Sequence, residues 1–211
     1  MNINLVNKTT AIVAKRGSGK SVLLKWLVKS GPKFDKIFCI CPTEVVNNFY
    51  GEFIPQNCLF SQYSEEWVED LITRMSKVSA DKSNLKNVLL ILDDCCSDTN
   101  FHSSNSLKKL YARGRHIHIS ILITCQYLNT LPPICRSNSD WVIVGQMNRM
   151  SLGILGDEFL SGDLDRSEFN KLYHRSTKDF NFLVINNNSI KDADDLNQIY
   201  GVIKTPSTFV K

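Results

Sequence analysis

The chain contains no long hydrophobic stretch: no apolar run in its 211 residues exceeds the five of Val88 to Leu92. A helix that crosses a bilayer needs about 20 such residues, so no membrane-spanning segment is expected. The opening Met1-Asn2-Ile3-Asn4-Leu5 lacks the apolar core of a secretory signal, and no signal peptide is expected. Zinc-type C-x-x-C spacing is also missing. The seven cysteines are odd in number, and several sit inside apolar runs, where a free thiol acts as a small hydrophobe. A reducing compartment therefore fits better than a disulfide framework. Cys39 and Cys41 share one side of an expected strand, but further metal ligands are missing nearby, and His102, His116, His118 and His174 have no metal-ligand company either. There is no internal repeat and no low-complexity tract. Charge of one sign is not in great excess: 25 Lys and Arg against 21 Asp and Glu give +4, which permits a polyanionic partner without arguing for one.

What the chain does have is alternation. Thr10 to Ala14 reads as a strand, and Ser21 to Ser30 as a helix with Val22, Leu23, Trp26 and Leu27 on one side, stopped by Gly31-Pro32. Strands are expected at Lys36–Cys41, Val88–Leu92, Ile117–Thr124, Trp141–Val144 and Phe180–Ile185. Helices are expected over Glu65–Val78, around Leu107, Leu110 and Tyr111, and over Glu168–His174. Val45 to Phe60 shows no clean period. Strands alternating with helices point to an α/β fold around a mostly parallel central sheet. One domain over residues 1–211 is expected, with about 186–211 as a weakly patterned C-terminal extension.

The strongest local signal is Ala14-Lys15-Arg16-Gly17-Ser18-Gly19-Lys20-Ser21. It follows the phosphate-loop pattern G-x-x-x-x-G-K-[ST] except that Ala14 occupies the first position. The glycines let the backbone turn tightly and aim N–H groups at phosphate oxygens. The helix that follows adds its positive end. Lys20 reaches the β- and γ-phosphates, and the Ser21 hydroxyl is the expected Mg²⁺ ligand. Lys15, Arg16, Gly17, Ser18, Gly19, Lys20 and Ser21 are thus the expected ATP-binding residues. Ala14 costs little there if its φ is negative.

Such a loop needs a carboxylate at the end of a buried strand. Asp93 ends the run Val88–Leu92 and is the expected Mg²⁺-linked residue, acting through water. Asp94 is the candidate for polarising the attacking water, although its side chain is one methylene shorter than glutamate. Gln126, after the strand Ile117–Thr124, is a candidate γ-phosphate sensor. The arginine that stabilises transition-state charge would come from a neighbouring subunit in a ring, with Arg113 and Arg115 first and Arg136 and Arg149 in reserve. Lys108, Lys109, Arg113, Arg115 and His116 form the densest basic stretch, which suits either a phosphate backbone or a solvated helix face.

These segments together resemble the viral genome-packaging ATPases of the FtsK–HerA superfamily. The resemblance rests on Lys15–Ser21, Ile91-Leu92-Asp93-Asp94-Cys95, Ala112-Arg113-Gly114-Arg115-His116 and Ile119 through Gln126, spanning roughly residues 10 to 145. It implies a RecA-like P-loop core with the Gln126 strand inserted between the first strand and the Asp93 strand. It also implies a homo-oligomeric ring that moves double-stranded DNA into a preformed capsid, with capsid or portal-like vertex proteins as partners. The setting it implies is the host cytoplasm or the virion. Asp94 stands where many relatives carry glutamate. Two other classes compete: a nucleotide switch or small-molecule kinase, for which residues 44–79 offer no arginine-rich lid, and an interaction protein that binds nucleotide without turnover.

Overall fold

A computed structural model describes residues 3–44, 48–81, 83, 85–160, 164–189 and 195–205. Eight strands form one sheet: β1 (Thr9–Val13), β2 (Lys36–Ile40), β3 (Leu59–Phe60), β4 (Val88–Asp93), β5 (Ile119–Cys125), β6 (Trp141–Val144), β7 (Asn181–Asn186) and β8 (Tyr200–Lys204). Their order is β3-β2-β4-β5-β1-β6-β7-β8. The Gln126 strand therefore stands between the first strand and the Asp93 strand, as the resemblance implied. The longer helices are α1 (Lys20–Ser30), α2 (Glu65–Ala80), α3 (Asn105–Arg113), α4 (Arg149–Phe159) and α5 (Arg166–Ser176).

The chain packs as two compact units. One comprises Met1–Ile3, Thr10–Gly31 and Cys125–Lys211; the other comprises Asn4–Thr9 and Pro32–Thr124. In the second unit β2 pairs in parallel with β3 and β4, and β4 with β5. Every residue of β4 and β5 is buried, so both of their faces are covered. That explains why they read as continuous apolar runs rather than alternating ones. β5 begins at Ile119 and not at Ile117, because Gly114–Ile117 form a 3₁₀ turn and His118 takes a left-handed φ of 59°. Ser64 caps α2 through the Trp67 N–H, with Glu65 and Glu66 in its first turn. Val68, Leu71 and Met75, at three- and four-residue steps, are its buried residues.

In the first unit β1 pairs in parallel with β6, while β6–β7 and β7–β8 are antiparallel. α1 buries Leu23, Leu24, Leu27 and Val28. The expected face was one position out: Val22 and Trp26 stay half-buried. α4 was not anticipated, since Gly153 and Gly156 interrupt its apolar period. It starts where the Asn148 side chain accepts the Ser151 N–H. α5 opens on a reciprocal capping box between Asp165 and Glu168. Within the expected C-terminal extension, Leu196–Ile199 form a short helix and β8 pairs with β7. Residues 190–194 and 206–211 lie outside the described residues, as do 45–47 of the unpatterned segment.

Gly145 follows β6, and its N–H donates to the Val13 carbonyl at 2.9 Å. A Cβ on Gly145 would lie 2.8 Å from Phe182 Cε1 and 2.9 Å from the Ala14 Cβ. Ala14, the departure from the loop pattern, has no positive φ, and its methyl sits where a glycine stands opposite. Gly145→Ala is expected to lower stability by about 1–3 kcal/mol in urea melts. Adding Ala14→Gly should give a double variant that loses less than the sum of the single losses. Strict additivity would show that the two positions do not compete for space.

Candidate functional site

In the first unit the backbone leaves β1 and turns into α1 within six residues. Gly17 and Gly19 have φ of 75° and 86°, a left-handed geometry that costs residues with a Cβ about 1–2 kcal/mol. Gly19 is the N-cap of α1, with no side-chain cap, and the first turn carries no acidic residue. The helix's N-terminal N–H groups and positive end are thus left without a local counter-charge. Lys20 Nζ donates to the Ala14 carbonyl at 2.6 Å and the Lys15 carbonyl at 3.3 Å, which folds the ammonium back over the loop. Ser21 follows at the second helical position, half-buried. The Ser18 hydroxyl is buried with no hydrogen-bond partner among the described residues. Left-handed glycines, an uncapped helix start, a folded-back lysine and an orphaned hydroxyl fit a bound triphosphate.

Two neighbouring strands fix the loop's start. Ala14 N–H donates to the Cys125 carbonyl at 3.2 Å, and Lys15 N–H to the Gln146 carbonyl at 2.7 Å. Gln126 therefore follows directly on the residue that holds Ala14, and it is half-buried. The next structural neighbour escaped sequence reasoning. Asp179 and Phe180, just before β7, both take left-handed φ values, 52° and 60°. The Phe180 ring is 63% exposed, and its Cδ1 lies 3.8 Å from a Cβ built on Gly19. A basic cavity of about 790 Å³ was also missed; Lys15, Arg149, Arg166, His174 and Lys178 line it. These cations lie far apart in sequence, so no local motif announces them.

The second unit holds the acidic pair. Asp93 ends β4 and is 7% exposed. Its Oδ1 accepts the Thr124 hydroxyl, and its Oδ2 accepts the Cys41 thiol at 3.6 Å. Asp94 turns away in a left-handed conformation, φ 56°, and its N–H donates to Thr124 Oγ1 at 3.2 Å. Its side chain is half-buried. The surrounding thiols remain protonated. Burial, opposed by a hydrogen bond with Thr43 and helped by Asp93, pushes Cys41 up to about 11. Burial likewise raises Cys39 and Cys95 well above the usual thiol range. The Tyr50 phenol is raised too, by burial first and the Asp93 charge second. Glu44 places that tyrosine: its carboxylate accepts the N–H groups of Phe49, Tyr50 and Gly51 at 3.1, 2.8 and 2.8 Å. No group of three His, Cys, Asp or Glu is placed to hold a metal among the described residues. Mg²⁺ makes no such demand, since one or two carboxylates plus phosphates suffice.

Arg113 ends α3, and Arg115 lies in the following 3₁₀ turn; both are exposed, as are Lys108 and His116. Lys109 is drawn to Glu69 at 2.7 Å. Arg136, one of the reserves, is committed elsewhere. It grips Glu158 through Nε and Nη2 at 2.6–3.0 Å and donates to the Leu131 carbonyl at 2.7 Å. Arg149 stays exposed at the start of α4. Thr124 is the residue that most directly shapes the acidic pair, since one hydroxyl serves both aspartates. Thr124→Val keeps the shape but removes that hydroxyl. It is expected to lower the unfolding free energy by about 1–3 kcal/mol, read as a lower urea midpoint at unchanged m. A wild-type midpoint would mean the hydroxyl does not hold the pair.

The solved structures most like this fold include the genome packaging NTPase B204 of Sulfolobus turreted icosahedral virus 2 in complex with AMPPCP. It is 16% identical with a TM-score of 0.64, and the match covers 95% of this chain and 98% of that one. EssC (ATPases 2 and 3) from Geobacillus thermodenitrificans matches at TM-score 0.53 and 15% identity, over 85% of this chain and 38% of that one. In sequence, protein 075L of Invertebrate iridescent virus 6 is 27% identical over 94% of this chain and 78% of its own length. Protein 015R of Frog virus 3 is 30% identical over 66% of this chain, which spans 44% of that longer protein. A family model described as Poxvirus A32 protein matches residues 3–153. The α/β P-loop fold expected from the sequence is therefore the fold found, and the chain belongs to the Poxvirus A32 protein family.

Proposed function

We propose that this protein is an ATPase that drives double-stranded viral DNA into a preformed capsid, working as a homo-oligomeric ring. The observation that carries the nucleotide role is the loop backbone: two left-handed glycines, an uncapped helix start, and Lys20 folded over the Ala14 and Lys15 carbonyls. DNA packaging is supported by the likeness in fold to a genome packaging NTPase, and by the exposed basic stretch around Arg113 and Arg115. The capsid or a portal-like vertex would be the docking partner. None of the seven cysteines is in a disulfide and all are buried, which suits the reducing host cytoplasm or a virion assembled there.

In this reading Lys15–Ser21 hold the triphosphate. Ser21 and, through water, Asp93 would hold Mg²⁺, which when bound neutralises charge on the β- and γ-phosphates. The Thr124 hydroxyl and Cys41 thiol orient Asp93 for that role. Asp94 orients the attacking water and draws off its proton. Gln126 senses the γ-phosphate beside the loop's start. Arg113 or Arg115 of a neighbouring subunit stabilises the transition state. Contacts between the basic stretch and phosphates would be indifferent to base sequence.

Lys20→Ala should abolish ATP binding and turnover; retained turnover would refute the loop's role. Asp94→Asn should bind ATP normally while kcat falls by about 10²–10⁴-fold. Full activity there would remove Asp94 from the chemistry. Mixing wild-type subunits with an equal amount of the Arg113→Ala, Arg115→Ala double variant should cut the ATPase rate below half, because one stalled site halts turnover around the ring. A rate of one half would mean that the sites turn over independently.

A further inference from the structure

The turn just before β7 carries two features that the phosphate chemistry does not use. Asp179 and Phe180 are consecutive non-glycine residues in the left-handed region. Strain of this kind persists where the surroundings hold it, and it concentrates at binding sites. Here the hold is visible: Asn181 N–H donates to the Lys178 carbonyl at 2.9 Å, and Thr205 Oγ1 donates to the Phe180 carbonyl at 2.9 Å. The result is an aromatic residue that is 63% exposed yet lies beside the loop, its Cδ1 3.8 Å from a Cβ built on Gly19.

The same turn lines a cavity of about 360 Å³ together with the loop itself; Lys15, Gly17, Ser18, Phe180 and Asn181 are among its walls. That size falls within the range of about 300–1,000 Å³ usual for small-molecule sites. Two of the wall residues carry buried oxygen atoms with no hydrogen-bond partner among the described residues: Ser18 Oγ and Asn181 Oδ1. Buried polar atoms are ordinarily satisfied. An orphaned acceptor and an orphaned hydroxyl on one small cavity, beside an exposed aromatic face, call for a ligand that is flat and carries N–H or O–H donors.

We infer that the turn at Asp179–Asn181 is the nucleoside subsite of the ATP site, with Phe180 as the stacking face for the base. Asn181 Oδ1 accepts a hydrogen bond from the base amino group or a ribose hydroxyl, and the left-handed pair aims the ring over Gly19. The subsite rests on the nucleotide role proposed above, since it assumes that the triphosphate lies on the Lys15–Ser21 loop.

The test separates base from phosphate. Binding of ATP and of inorganic tripolyphosphate is measured by titration calorimetry for wild type, Phe180→Ala, Phe180→Trp and Lys20→Ala. The expected result is that Phe180→Ala weakens ATP about tenfold, as for loss of one base-stacking aromatic, and leaves tripolyphosphate unchanged. Phe180→Trp should keep wild-type ATP affinity. Lys20→Ala should weaken both ligands. If Phe180→Ala weakens both ligands alike, or neither, the subsite is overturned while the phosphate loop stands. If wild type binds neither ligand, the nucleotide role fails and the subsite with it.

Discussion

A triphosphate can be held by main-chain N–H groups only if a strand stops and a helix starts within a few residues, and that geometric demand shapes this protein. Left-handed Gly17 and Gly19 make the turn possible. The turn also needs a fixed origin, which comes from neighbouring strand ends: Ala14 N–H on the Cys125 carbonyl and Lys15 N–H on the Gln146 carbonyl. Gly145 keeps the space beside Ala14 open. Gln126, next to Cys125, and Gln146 therefore stand beside the loop's start, where its backbone is anchored. The alanine at the loop's first position belongs to this packing and leaves the cradle intact.

The acidic half works by a different principle. Asp93 sits at the end of a fully buried strand among groups that burial keeps neutral: the thiols of Cys39, Cys41 and Cys95 and the Tyr50 phenol. Hydrogen bonds from Thr124 and Cys41 hold its carboxyl group in place. Asp94, by contrast, bends off the strand into a left-handed conformation tied to the same Thr124 oxygen. Adjacent aspartates thus receive different geometries, in keeping with the metal-linked and water-orienting roles proposed for them.

The parts of this molecule legible in the sequence are those encoded by neighbours along the chain. The loop motif, the apolar run ending in Asp93 and the helix face of Leu107, Leu110 and Tyr111 are all local patterns. α4 was hidden because its glycines break the period, and β8 because five residues after an unpatterned stretch carry little signal. The Thr124 bond to Asp93, the tie between Arg136 and Glu158, and the cavity of Lys15, Arg149, Arg166, His174 and Lys178 join residues far apart in sequence. The strand order followed from the resemblance rather than from hydrophobic pattern, since pairing between distant strands leaves no periodic trace. The capping box Asp165–Glu168 was readable and would have placed the start of α5 two residues before the expected Glu168.

The central claim joins nucleotide turnover to DNA, and the steady-state ATPase rate with and without long linear double-stranded DNA tests it most directly. The account predicts a rate that rises severalfold with long duplex of any sequence, in a protein that sediments as an oligomer. An ATPase rate indifferent to DNA, from a chain that stays monomeric at every concentration, would contradict it.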